Sequence, residues 1–227
     1  MLGVWGTEPA RSGGDVMEVA TGIHQVDGWG MSNGYVVETD DGLLAVDAWS
    51  AGHTLDTVRA LGRPAQDLML IVITHWHPDH IRGAAELRRR TGARVAVHEL
   101  DAAVLAGGEF PAKGRRMMQV IRRLFRIRPV AADLLLQDGD EVGGWRVVHM
   151  PGHTPGSIAL HRDGVVFTGD ALRCDRHGRV LLPDAGLSLD PEAAVRSVER
   201  IRVLHPNLLL PGHGAPARLP HIPTTDA

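Results

Sequence analysis

The stretch 74–80 reads T-H-W-H-P-D-H and sets His75, His77, Asp79 and His80 within reach of one another. On extended chain, residues i and i+2 point the same way, so His75 and His77 can grip one ion together. A turn into a helix after them redirects Asp79 and His80, which can then serve a second ion. A helix start also tolerates a carboxylate well. Three more donors follow far along the chain. His153 lies in M-P-G-H-T-P-G-S, Asp170 ends V-V-F-T-G-D, and His213 lies in L-L-L-P-G-H-G. Each follows an apolar run and has Gly or Pro beside it, as expected of a side chain held at the rim of a sheet. Five histidines and two aspartates are enough for two ions if one aspartate bridges them. Zinc takes imidazole and carboxylate in mixed sets, and iron or manganese are the alternatives. Such ions lower the pKa of water and supply hydroxide near neutral pH for attack on an ester, thioester, lactone or amide carbonyl. No GxSxG nucleophile motif competes with this reading.

The elements that must carry these residues can be read from periodicity. Short apolar segments cut by glycines over 16–47 predict a meander of strands. A short helix is expected over 53–61. The β-branched run L-M-L-I-V-I-T at 68–74 predicts a strand buried on both faces. Pro78 or Asp79 starts a helix expected to reach about residue 90, with Gly92 ending it. Residues 94–98 read as a strand. Residues 99–130 form a separate stretch, with a basic amphipathic helix over 113–128. Strands return at 134–136, 144–150, 157–162 and 164–170. A helix over 191–204 with Pro at its first position and a last strand at 207–210 follow, and the tail after Gly214 is extended.

Composition narrows the classes. The chain has 227 residues, suiting one domain, and carries 24 basic against 27 acidic residues, a net charge of −3. No basic excess favours nucleic acid as a partner. The single cysteine cannot form an internal disulfide, which fits a reducing compartment. No apolar run approaches the 18 or so residues of a membrane span. The N-terminus lacks the basic-then-apolar pattern of a secretory signal. The expectation is therefore a cytoplasmic enzyme of a small molecule: a loose arm over 1–15, one domain over 16–216 and a tail over 217–227. Histidine, with 13 copies against one Tyr and three Phe, is the compositional outlier.

The pattern H-x-H-x-D-H, followed in order by G-H-T-P-G-S, T-G-D and P-G-H-G, resembles the metallo-β-lactamase-fold superfamily. The resemblance covers roughly residues 16–216. It implies an α+β fold, an αββα sandwich of two mixed β-sheets packed face to face with helices on both outer faces. It implies that His75, His77 and His153 hold a first ion and Asp79, His80 and His213 a second. Asp170 would bridge them, Asp79 and Asp170 would orient the hydroxide, and Asp47 at the end of L-L-A-V-D would support the site from behind its ligands.

Asp170 stands where true β-lactamases of this fold usually carry Cys or Ser, and all seven ligands are kept, as in the glyoxalase-II-like and lactonase-like branches. A mononuclear-iron persulfide dioxygenase using His75, His153 and Asp170, or a β-lactamase, are the alternatives. Lactonases often place a tyrosine near the metals, and the one tyrosine here is Tyr35 in an early strand. Arg173, Arg176 and His177, in the loop after Asp170, are candidates to pair with an acid group of the substrate. Trp76, between two ligands, either packs against the sheet edge or walls the cleft. The basic helix is either a solvated face or a cover over the cleft.

Overall fold

Two sets of apolar strands meet face to face in the computed structural model, which describes residues 16–26 and 31–223. The arm expected over 1–15 and residues 224–227 of the tail lie outside the described residues. The first sheet runs in chain order: β1 (Met17–Ala20), β2 (Ile23–Val26), β3 (Gly34–Thr39), β4 (Gly42–Val46), β5 (Leu68–Ile73), β6 (Arg94–His98) and β7 (Leu134–Leu136). β1 to β4 form an antiparallel meander, and β4 to β7 pair in parallel through helical crossovers. The second sheet joins β8 (Glu141–Val142), β9 (Trp145–His149), β10 (Ile158–Arg162), β11 (Val165–Gly169), β14 (Leu208–Pro211) and β15 (Ala217–Arg218). Its order is β15-β14-β11-β10-β9-β8, with only β11 and β14 parallel. A small separate hairpin pairs β12 (Arg173–Cys174) with β13 (Val180–Leu181).

Burial divides into the layers of an αββα sandwich. Val37, Leu44 and Val72 from the first sheet meet Trp145, Leu160 and Phe167 from the second. Leu55 of α1 (Ala51–Ala60) and Leu87 of α3 (Ala84–Thr91) cover the outer face of the first sheet at Ile71 and Val95. Val198 and Ile201 of α6 (Pro191–Arg202) cover the second at Val166 and Leu209. Every strand of this core is buried on at least one face by apolar side chains, which is the main favourable term in folding. No described helix is long and apolar enough to cross a membrane.

The structure departs from periodicity in several places, besides the short strands β8, β12 and β13 and a basic helix shorter than the expected 113–128. The helix expected from 78 to 90 is two helices, α2 (Pro78–Ile81) and α3, broken at Arg82–Gly83. Gly83 donates its N–H to the Ala48 carbonyl at 2.6 Å, and a Cβ there would lie 2.6 Å from the Ala51 nitrogen. Close docking of the start of α1 therefore diverts the chain, and it is paid for by an interrupted helix. An extra helix, α4 (Glu99–Leu105), fills the stretch before the basic helix α5, which spans Arg115–Leu124. Past residue 216, Ala217 pairs with Leu209, so the second sheet runs on to Arg218.

Candidate metal centre

The donors converge because strand ends from both sheets face one another along one edge. β4 leads into Asp47, β5 runs into His75, and α2 starts at Pro78 so that Asp79 and His80 fall in its first turn. From the second sheet, β9 leads to His153, β11 to Asp170 and β14 to His213. The seven residues form three overlapping groups: His75, His77 and His153; His75, His80 and Asp170; and Asp79, His80 and His213. In each group the donor atoms lie within 4.8 Å of one another. His153 Nε2 is 3.3 Å and His213 Nε2 is 3.4 Å from Asp170 Oδ2, while His80 Nε2 is 3.4 Å from Asp170 Oδ1. His213 Nε2 is 3.2 Å from Asp79 Oδ2.

Asp47 organises the imidazoles from beneath. It sits at φ 59°, a conformation that Asp tolerates better than most residues. Its Oδ1 accepts the Thr74 N–H at 2.8 Å, and its Oδ2 accepts the Thr74 hydroxyl at 2.8 Å and faces His80 Nδ1 at 2.7 Å. The Thr74 hydroxyl proton is thereby used, so its oxygen accepts from His75 Nδ1 at 3.1 Å. Both rings then carry their proton on Nδ1 and aim Nε2 into the cluster.

Those Nε2 atoms are the clearest test of whether a cation fits. His75 Nε2, His80 Nε2, His153 Nε2 and Asp170 Oδ1 are buried with no hydrogen-bond partner. Leaving such groups unpaired costs about 1–3 kcal/mol each, and a divalent ion satisfies them together. Imidazoles and carboxylates are the donor types that zinc, iron and manganese accept, so the residues fit the ions that the sequence implied.

Charge within the cluster is strongly coupled. Burial would lower His213, but hydrogen bonds to Asp170 and Asp79 lift it to about 9. Burial likewise opposes charge on His80, yet Asp47, Asp170 and Asp79 hold it well above its usual value. Burial and the neighbouring His153 push His77 down to about 3. Burial would raise Asp79 and Asp170, but His80 above all keeps Asp79 at about 2 and Asp170 well below the carboxylate range.

Residues that motif reading passed over hold the loops in place. Asp101 on α4 is fully buried. It accepts the Trp76 N–H at 3.1 Å, the Thr154 hydroxyl at 2.6 Å and the Gly156 N–H at 2.7 Å. One carboxylate thus ties the loop of His75 and His77 to the loop of His153. The signal was present: Asp101 shares a helix face with buried Leu105, and a carboxylate on an apolar stripe asks for partners. Asn33 and Tyr35 brace the His213 loop, donating to the Pro211 carbonyl at 2.9 and 2.8 Å. Tyr35 is therefore a buried prop, and burial raises its hydroxyl pKa well above normal. Gly212 permits the close approach of the loop, since a Cβ there would run into Asp170 Oδ1 and lie 2.7 Å from His80 Cε1.

The other candidates separate. Trp76 is buried and packs on Phe110 with ring centroids 5.3 Å apart, so it is a packing residue. Cys174 is a buried free thiol that burial pushes up to about 11. Arg173 reaches Asp184 at 3.3 Å, while Arg176 and His177 hold each other at 2.9 Å on the exposed turn of the β12–β13 hairpin.

A family model described as the metallo-beta-lactamase superfamily matches residues 27–213. The chain belongs to the metallo-β-lactamase superfamily. A hydroxyacylglutathione hydrolase from Cereibacter sphaeroides is 34% identical over 171 residues, 73% of this chain and 54% of that protein. The human acyl-coenzyme A thioesterase MBLAC2 is 34% identical over 166 residues, 63% of this chain and 56% of its own. The chain thus spans about half the length of these two superfamily relatives. Among solved structures, TTHA1623 in a di-iron-bound form superposes with a TM-score of 0.64 at 28% identity, over 83% of this chain and 90% of that one.

Proposed function

We propose that the protein binds two divalent ions, zinc first among them, and hydrolyses a small thioester, with esters and lactones as the neighbouring substrate classes. The observation that carries this reading is the position of Asp170, whose carboxylate lies 3.3–3.4 Å from His153 of the three-histidine group and from both His80 and His213 of the other. A carboxylate so placed suits a bridge between two ions. When bound, the ions supply an activated water and polarise the carbonyl under attack.

The chain's own groups do the rest. Asp79 and Asp170 are held ionised, so both can accept a hydrogen bond from the attacking water and fix its direction. Asp79 is the more exposed of the two and is the better placed to take the water's proton and pass it to the departing thiolate or alkoxide. His75 and His80, locked by Thr74 and Asp47, keep their Nε2 atoms from turning away. The names of the two curated relatives, both thioester hydrolases, favour a thioester over a lactone or β-lactam. The lone buried thiol is compatible with the cytoplasm as the working compartment.

The test joins metal analysis to a comparison of kcat/KM for a thioester, a lactone, a phosphodiester and a β-lactam at one pH with added zinc. Two ions per chain and fastest thioester turnover are expected. Faster phosphodiester or β-lactam turnover overturns the substrate class. One iron per chain with oxygen uptake on a glutathione persulfide favours the dioxygenase instead.

A further inference from the structure

Between Phe110 and Ala132 the chain carries seven cations and no carboxylate, although the whole chain is net −3. The flanking Glu109 is engaged by Arg115 at 3.1 Å. Among the described residues, Arg122, Arg123 and Arg126 of this segment meet no carboxylate at ion-pair distance. Helical spacing puts Arg122 and Arg123 on one face of α5 with Gln119, opposite Met117, Val120 and Leu124, and Arg126 joins them from just past the end of the helix, at φ 51°.

That face and the loop before it enclose an open groove of about 550 Å³, lined by Phe110, Gln119, Arg122, Arg123, Arg126 and one carboxylate, the Arg115-paired Glu109. The volume suits a ligand of nucleotide size. Gly107 shapes its floor: at φ 100° it lets Arg122 Nη2 come so close that a Cβ would lie 2.8 Å away. The Arg122 guanidinium also sits 5.7 Å over the Phe110 ring, Phe110 packs on Trp76, and Trp76 meets His77 at 4.5 Å. One aromatic layer therefore separates the groove from the metal ligands.

We infer that this groove binds the polyphosphate part of a nucleotide on which the substrate's thiol is carried. The inference rests on the thioester reading above and names the carrier. Unpaired guanidiniums take phosphates in bidentate pairs, and several phosphates match several arginines where a single carboxylate does not. A flexible thiol arm as long as four or five extended residues, about 15 Å, is long enough to round the aromatic layer and deliver the thioester to the cluster.

Calorimetric titration of the metal-loaded protein with adenosine 3′,5′-bisphosphate tests the groove without turnover. Saturable binding is expected, weakened by added salt and by at least about tenfold in an Arg123→Glu/Arg126→Glu variant, the scale of losing charge-assisted pairs. Both residues are exposed, so circular dichroism of the variant should match the parent. A kinetic arm compares acetyl-coenzyme A with S-acetyl-N-acetylcysteamine, the same thioester without phosphates. The coenzyme A ester should be preferred about tenfold or more through KM, with the ratio falling toward one in the variant. No saturable binding, binding indifferent to the double substitution, or equal kcat/KM for the two thioesters overturns the inference. So does binding to phosphatidylglycerol vesicles in the absence of bisphosphate binding, which would make the arginines a lipid-facing surface. If neither thioester is cleaved, the thioester reading falls, and the calorimetry alone decides the groove.

Discussion

Asp47 Oδ2 lies 2.7 Å from His80 Nδ1, so the nitrogen His80 presents to the cluster is decided by a residue that touches no other part of it except through Thr74. Asp47→Asn keeps the shape and tolerates the φ of 59°. It offers one acceptor oxygen where the native carboxylate serves three donors. Metal affinity should fall about 10- to 100-fold, the usual effect of losing a partner behind a ligand. Competition with a chromophoric zinc chelator measures it, and unchanged affinity in a folded variant would show that His80 needs no such support.

Asp79→Ala removes one member of the Asp79, His80 and His213 group and leaves the three-histidine group intact. Elemental analysis should drop from two ions per chain to one. Turnover should fall at least about 100-fold. The variant should still fold, because Asp79 lies at the sheet edge outside the apolar clusters. Full turnover with one ion would mean that the second is dispensable.

Asp101 carries a pH dependence whose sign can be worked out. Burial outweighs its three hydrogen bonds and raises its pKa from 3.8 to about 6. The folded state therefore holds this proton more tightly than the unfolded chain. The contribution is complete below about pH 4 and is lost as pH rises through about 6, amounting to about 3 kcal/mol. Asp101→Asn cannot titrate. Urea unfolding of both proteins across pH 4–7 should show the wild-type advantage shrinking by about that amount as pH rises. A difference that stays flat would mean that Asp101 titrates normally.

Gly212→Ala introduces a methyl group where Asp170 Oδ1 and His80 Cε1 already stand. Because Asp170 faces both ends of the cluster, both ions should bind more weakly, and turnover should fall at least about 100-fold. Far-ultraviolet circular dichroism should be retained. Retention of both ions at native affinity would show that the loop has room to shift.

The ligands were legible because they are dense and ordered: four donors sit in T-H-W-H-P-D-H, and each later one is marked by a strand end and a glycine. The central strands were legible for the same reason, since Ile71, Val72 and Ile73 are buried on both faces. The break at Gly83 was hidden, because its cause is the Ala48–Ala51 backbone, remote in sequence and adjacent in space. Asp101 was half legible: its place on an apolar stripe asks for partners, but those partners lie 25, 53 and 55 residues away. Tyr35 could be located in a strand, but only tertiary contact showed its hydroxyl spent on the Pro211 carbonyl. Local patterns report what a residue offers, and only the assembled fold reports who accepts it.

The donors also leave the ribosome in a set order. His75, His77 and His153 are all present once the chain has passed β10, whereas the group of Asp79, His80 and His213 waits for β14. Some fifty residues separate the end of β10 from His213. In chain order the three-histidine group is therefore complete well before the group that contains His213.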